Sequence, residues 1–263
     1  MFVFTAPSQI LGSFLGINIY YYGVILAISI IFGVFVADFI SVKYYKLKKD
    51  TIIDLAPYLV LFGILGARLY YCILNLDFYL RFPTEILALR HGGISIHGAI
   101  IGGFIGLIIF AKRHNISILK LADVSALGLA LAQSIGRWGN FFNSEAFGYP
   151  TNLPWKLYIS EQYRPIPYTG NEFFHPTFLY ESVLDFILFL LLFWLIKNNK
   201  ISRSGNIALI YLILYSFIRI FVEYFRIDST CYILGYPIAI IVSIGIIIFA
   251  TMCIFYNNLK KVE

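Results

Sequence analysis

Seven stretches of this chain stay apolar for about the length that crosses a bilayer, and that leaves few folds open. They run roughly over residues 18–40, 52–74, 93–111, 121–137, 177–196, 206–225 and 236–256. Each is near the ~20 residues a helix needs to span about 30 Å of hydrocarbon. Inside lipid every backbone N–H and C=O must find a partner within the protein, which makes such runs helices. Composition agrees: 60% of the 263 residues are hydrophobic and 13% charged, against about a quarter charged in a soluble domain. The expected fold is an all-α polytopic membrane protein, a single integral-membrane domain of about seven transmembrane helices.

The basic residues set an orientation. Lys43, Lys46, Lys48 and Lys49 follow the first run; Lys112, Arg113 and Lys120 lie between the third and fourth. Lys197, Lys200 and Arg203 separate the fifth and sixth, and Lys260 and Lys261 close the chain. Every second connection is basic, which the positive-inside rule assigns to the cytoplasm. The N-terminus is then expected outside and the C-terminus inside, as seven spans require. Residues 1–18 lack a basic n-region, so the first run is expected to stay as an anchor. The three cysteines (Cys72, Cys231, Cys253) show neither CxxC nor metal spacing, so no disulfide framework or cysteine-based metal site is indicated.

Two outward connections differ in kind. Residues 75–91 interleave apolar side chains with Asp77, Arg81, Glu85, Arg90 and His91, the pattern of an interfacial arm. Residues 140–176 are the longest connection, rich in Pro, Tyr and Asn, and are expected to form a small extracytoplasmic cap.

Charged groups within spans are costly and mark function or a supporting pair. Tyr215, Arg219, Glu223 and Arg226 recur at spacings that share one helical face. The plainer reading of Arg219 and Glu223 is an ion pair that lowers the cost of burial. The third run opens Gly92-Gly93-Ile94-Ser95-Ile96-His97-Gly98, with Gly98, Gly102 and Gly106 forming a small-residue row that allows close helix contact. By itself His97 reads rather as a histidine hydrogen-bonded at that crossing. Arg68 sits near the outer end of the second run, where long side chains snorkel. Asp54 and Asp123 suit the first turns of their helices. Glu181 and Asp185 are four apart and read either as a bundle-facing polar patch or as a carboxylate pair.

Depth favours one shared site. At about 1.5 Å per residue, His97 lies ~23 Å from Lys112, Arg219 ~24 Å from Arg203, and Arg137 ~26 Å from Lys120. Tyr22 lies ~32 Å from Lys43 on the same count. Three polar groups from three spans thus reach a similar level in the outer leaflet. The densest polar stretch is Gly136-Arg137-Trp138-Gly139-Asn140-Phe141-Phe142-Asn143-Ser144-Glu145-Ala146-Phe147-Gly148. It reads either as a polar helix exit with glycines for a turn or as one wall of an anion site. Guanidinium forks match phosphate oxygens, and Glu145 and Glu223 could balance the arginines. A phosphate at this depth points to a phospholipid head group. No GxSxG, HExxH or P-loop pattern occurs.

The stretch Gly136-Arg137-x-Gly139-Asn140-Phe141-x-Asn143-x-Glu145-x-x-Gly148 resembles the signature of bacterial phosphatidylglycerol–prolipoprotein diacylglyceryl transferases. Gly92–Gly98, His175-Pro176-Thr177-x-x-Tyr180-Glu181 and Arg219-x-x-x-Glu223-x-x-Arg226 match that family in order, and the likeness extends from Tyr22-Gly23 to about Pro237. The resemblance implies transfer of a diacylglyceryl group from phosphatidylglycerol to the lipobox cysteine of a prolipoprotein signal peptide in the bacterial inner membrane. A thioether forms and glycerol phosphate leaves. It implies His97 as general base and Arg137 and Arg219 as stabilisers of the leaving phosphate. Tyr22, Asn140, Asn143, Glu145, Tyr215 and Glu223 would contact or orient the lipid, and Gly148 would permit a tight turn. No metal, cofactor or nucleic acid is expected. Two other classes compete: a transporter for an anionic solute, weakened by the absence of an internal repeat, and a lipid-binding scaffold, which leaves His97 without a role.

Overall fold

A computed structural model describes residues 2–14, 16–88, 92–201, 203–227, 232–233 and 235–259. Arg90, His91, Cys231, Lys260 and Lys261 fall outside them. The helices are α1 (Tyr21–Tyr45), α2 (Thr51–Leu74), α3 (Leu76–Arg81), α4 (Ile96–His114), α5 (Ile118–Asn143), α6 (Thr177–Lys197), α7 (Asn206–Phe225) and α8 (Ile238–Leu259). Among the described residues seven of these, all but the six-residue α3, are long and apolar enough to cross a membrane. The protein is multi-pass, with small sheets beside the helices.

The chain divides into two compact units, residues 34–125 and residues 1–33 with 126–263. In the first, α2 and α4 lie with their backbones in contact. The row Gly98, Gly102, Gly106 packs as its spacing predicts, against Gly66, Phe62 and Tyr58 of α2. A Cβ on Gly102 would collide with the Phe62 carbonyl, so only glycine permits this approach. At the opposite end the buried Asp38 carboxylate accepts hydrogen bonds from the backbone N–H of Asp50 (3.1 Å) and Ile52 (3.0 Å), two donors that the start of α2 leaves unpaired. Ile52, Leu55, Leu107, Phe110, Leu121 and Val124 form the apolar core beside it. Asp123 is not in a first turn: α5 starts at Ile118, and Asp123 is buried and hydrogen-bonded to Tyr45.

Arg68 does not snorkel. It is buried, and its guanidinium donates to the carbonyls of Ile86 (2.9 Å), Gly92 (2.6 Å), Gly93 (2.7 Å), Ala88 (3.3 Å) and Glu85. These carbonyls belong to the 75–91 arm and the segment after it. The arm is built from α3 and a 3-10 turn over Pro83–Leu87, with Leu80, Phe82 and Leu87 exposed.

In the second unit α6, α7 and α8 pack in sequence, with α5 against α6 through a hydrogen bond from Ser182 Oγ to the Ser134 carbonyl (2.6 Å). The cap is a mixed three-stranded sheet in the order β1-β4-β5. Here β1 (Phe2–Thr5) runs parallel to β4 (Trp155–Tyr158), and β5 (Phe173–Phe174) antiparallel to it. Its core joins Phe147, Leu157, Ile159 and Phe174 to Phe141 of α5 and Phe178 of α6. The N-terminal strand is a part of the cap that the apolar pattern gave no reason to expect. A hairpin of β2 (Ile10–Phe14) and β3 (Ile17–Tyr20) leads directly into α1, and β6 (Tyr232–Ile233) and β7 (Tyr236–Pro237) form a second small hairpin before α8.

Candidate active site

The polar stretch at residues 136–148 is mostly helix. Instead of turning at Gly136 or Gly139, α5 continues to Asn143, so Arg137, Asn140 and Asn143 stand on its last two turns. Glycine is a poor helix former, but tertiary packing overrides propensity. The ring of Tyr21 stacks on Phe142 with centroids 4.2 Å apart, and the ring of Tyr22 lies against Gly139, where a Cβ would sit 2.8 Å from it. The turn follows the helix and uses no glycine. Ser144 (φ 54°) and Ala146 (φ 55°) adopt the left-handed conformation, at a cost of about 1–3 kcal/mol each. Between them Glu145 turns back, and its Oε1 accepts from Asn140 Nδ2 (2.8 Å) and Asn143 Nδ2 (3.3 Å). Glu145 therefore ties the two carboxamides together in place of neutralising an arginine. Gly148 has no positive φ. It bridges to Arg226, and a Cβ there would meet the Phe225 carbonyl at 2.5 Å and His175 Cβ at 2.8 Å. Close approach, not a turn, requires this glycine.

Arg137 points into a contact of three helices. Its Nη2 lies 2.5 Å from Glu181 Oε1 on α6 and donates to the Tyr215 hydroxyl on α7 (3.3 Å), which in turn faces Glu181 Oε1 at 3.4 Å. One turn deeper, Tyr211 donates to Gln133 Oε1 (2.8 Å), so α5 and α7 are cross-linked by two successive polar rungs. Asp185, one turn beyond Glu181, is fully buried, and neither carboxylate oxygen has a hydrogen-bond partner among the described residues. Glu181 was legible only as half of a polar pair; its position in the His175–Glu181 motif was the one signal that marked it.

Arg219 stands one turn beyond Tyr215 on α7. Its Nη2 is 2.6 Å from Glu223 Oε2, the i,i+4 pair that the spacing predicts. Its Nη1 is buried with no hydrogen-bond partner among the described residues. Arg226 departs from the shared face, because α7 ends at Phe225 and Arg226 is extended (φ −77°, ψ 143°), pairing with Gly148 of the cap. The two arginine side chains keep 23% and 21% of their surface exposed, while Glu181 and Glu223 keep 1% and 3%. The arginine side chains are thus the more accessible partners of each pair and the carboxylates the buried ones, with Arg219 Nη1 itself buried. Beside the cluster an apolar groove of about 470 Å³ runs between α6 and α7, walled by Leu179, Val183, Leu184, Phe221 and Phe225, with Trp155 and His175 at its cap end.

His97 belongs to the other unit. It is the second residue of α4, exposed, with its ring 6.2 Å from that of Tyr70. No grouping of three or more His, Cys, Asp or Glu side chains that could hold a metal ion occurs among the described residues.

A bundle of helices long enough to span a membrane, with two arginines paired to buried carboxylates among them and an apolar groove between α6 and α7, defines a class: multi-pass membrane proteins with a charged cluster inside the bundle. The comparisons make this particular. Residues 9–256 match the prolipoprotein diacylglyceryl transferase family, and the chain belongs to it. The phosphatidylglycerol–prolipoprotein diacylglyceryl transferase of Synechococcus elongatus is 46% identical over 230 residues, covering 86% of this chain and 79% of that protein. Those of Parasynechococcus marenigrum and a Nostoc species are 44% and 43% identical, each across 87% of this chain and 84% and 82% of their own lengths. Prolipoprotein diacylglyceryl transfer is the activity of this chain.

Proposed function

We propose that the donor is phosphatidylglycerol, that its phosphate is held by Arg137 and Arg219, and that the acceptor is the lipobox cysteine of a prolipoprotein signal peptide. The observation that carries the phosphate assignment is the buried Nη1 of Arg219, which has no acceptor among the described residues. A buried guanidinium N–H without a partner is costly, and a phosphate oxygen would satisfy it. Such bonds to a dianionic leaving group strengthen as charge develops, which is where stabilisation accelerates a reaction. In the reaction the thiol sulfur attacks the glyceryl carbon, the bond from that carbon to the phosphate-ester oxygen breaks, and glycerol phosphate departs with the oxygen and the electron pair. The thiol proton passes to His97. A cysteine thiol titrates near 8.5 and reacts as thiolate, so a base that works near neutral pH is needed. Support for His97 is its motif and its depth, counted along the helix, close to that of the arginines.

Tyr22, Asn140, Asn143, Glu145, Tyr215 and Glu223 orient the lipid head group or the arginines, with Gly148 holding the cap onto α7. The apolar groove between α6 and α7 suits an acyl chain. The chain lies in a bacterial inner membrane with its N-terminus outside and its cap extracytoplasmic, as the basic loops require.

The test is direct. Protein reconstituted with phosphatidylglycerol and a lipobox peptide should add one diacylglyceryl mass to the peptide and release glycerol phosphate. His97→Gln and Arg137→Ala should each slow formation of that product by roughly a hundredfold or more, leaving a measurable residual rate. Transfer of equal rate from a phosphate-free diacylglycerol would overturn the donor, and full activity in His97→Gln would remove the base.

A further inference from the structure

We propose that Arg68 is a positioning residue for the reaction, acting through the backbone that leads into α4 to fix the place of His97. The proposal rests on the reading of His97 as the base. Three consecutive residues of α2 clamp that lead-in. Gly66 packs against Gly98; the Ala67 carbonyl accepts from the Ser95 N–H (3.0 Å); and Arg68 Nη1 donates to the carbonyls of Gly92 (2.6 Å) and Gly93 (2.7 Å). His97 stands two residues beyond the Ser95 clamp and four beyond Gly93.

Nothing local does this work. Ser95 occupies the N-cap of α4 in an extended conformation but makes no side-chain capping bond. Gly92 and Gly93 have φ of 79° and 76°, a conformation open to glycine but carrying no order of its own. The described residues of this segment, 88 and 92–95, form no ladder with a strand, so their carbonyls need donors from elsewhere. Arg68 supplies five hydrogen bonds from one plane, all to backbone carbonyls on both sides of the segment. Tyr79 covers the guanidinium, its ring centroid 5.2 Å from Cζ. A guanidinium placed merely to be buried would find a carboxylate; this one finds the loop. Lysine cannot replace it, because its ammonium donates from a single point and reaches at most three acceptors.

Arg68→Lys in reconstituted protein should lower kcat by roughly tenfold or more, since small misplacement of a catalytic group is expensive, while KM for lipid and peptide stays within about twofold. Gly93→Ala should do the same with the charge intact, because its Cβ would lie 2.7 Å from Arg68 Nη1 and 2.8 Å from the Tyr71 ring. Thermal unfolding of both variants, with rates expressed per folded molecule, separates lost order from lost fold. The deciding measurement is a double-mutant cycle read by single-turnover mass spectrometry. In a His97→Gln background Arg68→Lys should cost nothing further. Wild-type kcat in folded Arg68→Lys, a loss confined to KM, or full additivity with His97→Gln would each overturn the proposal. Undiminished activity in His97→Gln alone would instead bring down the base assignment, and the two failures are told apart by that single variant.

Discussion

Arg137 is held by a carboxylate from a neighbouring helix, Glu181, whereas Arg219 is held by Glu223 on its own helix. The two pairs therefore respond differently to an arriving anion. A ligand that draws Arg137 forward must weaken a bond that also links α5 to α6, while Arg219 can offer Nη1 without leaving Glu223. On the proposed phosphate contact both sites need the fork of a guanidinium, so Arg137→Lys and Arg219→Lys should each lower turnover by at least roughly tenfold, measured as lipidated peptide formed per minute. Glu181→Gln should reveal the structural half of the arrangement. Removing the charge from a buried partner should cost about 2 kcal/mol of stability, read as a lowered Tm in detergent, with Glu223→Gln costing less because its pair is within one helix. Residue identities at this site were legible from motif and spacing. Partners were not: which carboxylate meets which arginine depends on how α5, α6 and α7 are turned toward one another, and no single run of sequence contains that rotation.

Elements were legible where one physical signal dominates. Hydrophobic length located all seven spans, and the glycine row on α4 announced its close contact with α2. Legibility failed where long-range packing overrides local preference. Gly136 and Gly139 suggested a turn, yet α5 continues through them because Tyr21 and Tyr22 cover its last turns. Arg68 looked like a snorkelling side chain because its carbonyl acceptors carry no side-chain signature. The cap depends on one such contact. Gly148→Ala would drive a methyl into the Phe225 carbonyl and His175, and should destabilise the protein by about 1–3 kcal/mol, with faster proteolysis at the cap than in the spans. His175 adds a pH dependence to the same element. Its Nδ1 is 3.0 Å from the Tyr180 hydroxyl, and partial burial pushes the imidazole below its ordinary value of 6.5. The unfolded chain then binds the proton more readily, so cap stability should be full above about pH 6.5 and fall as pH drops toward the lowered folded value. Hydrogen exchange in β4 and β5 should show this loss, and His175→Gln should flatten it.

At the scale of the whole molecule, chemistry-bearing residues are divided between two units that fold around separate cores, His97 in one and the arginines in the other. The chain interleaves them, since α1 and α5 each begin in one unit and end in the other. On the proposed orientation, a cysteine introduced at the exposed Gly170 should react with a membrane-impermeant maleimide on intact spheroplasts, and one introduced at Lys48 should react only after permeabilisation. The opposite pattern would invert the topology. The pairing of β1 with β4 sets an order on biosynthesis. Phe2 pairs with Trp155, so the first strand made waits for a partner that the ribosome reaches roughly 150 residues later, on the order of 10 s at about 5–20 residues per second. Its neighbour, the β2–β3 hairpin, closes locally and needs no such delay. The cap therefore cannot be sealed until four spans have been synthesised, and a strand that precedes all four in sequence settles only after them.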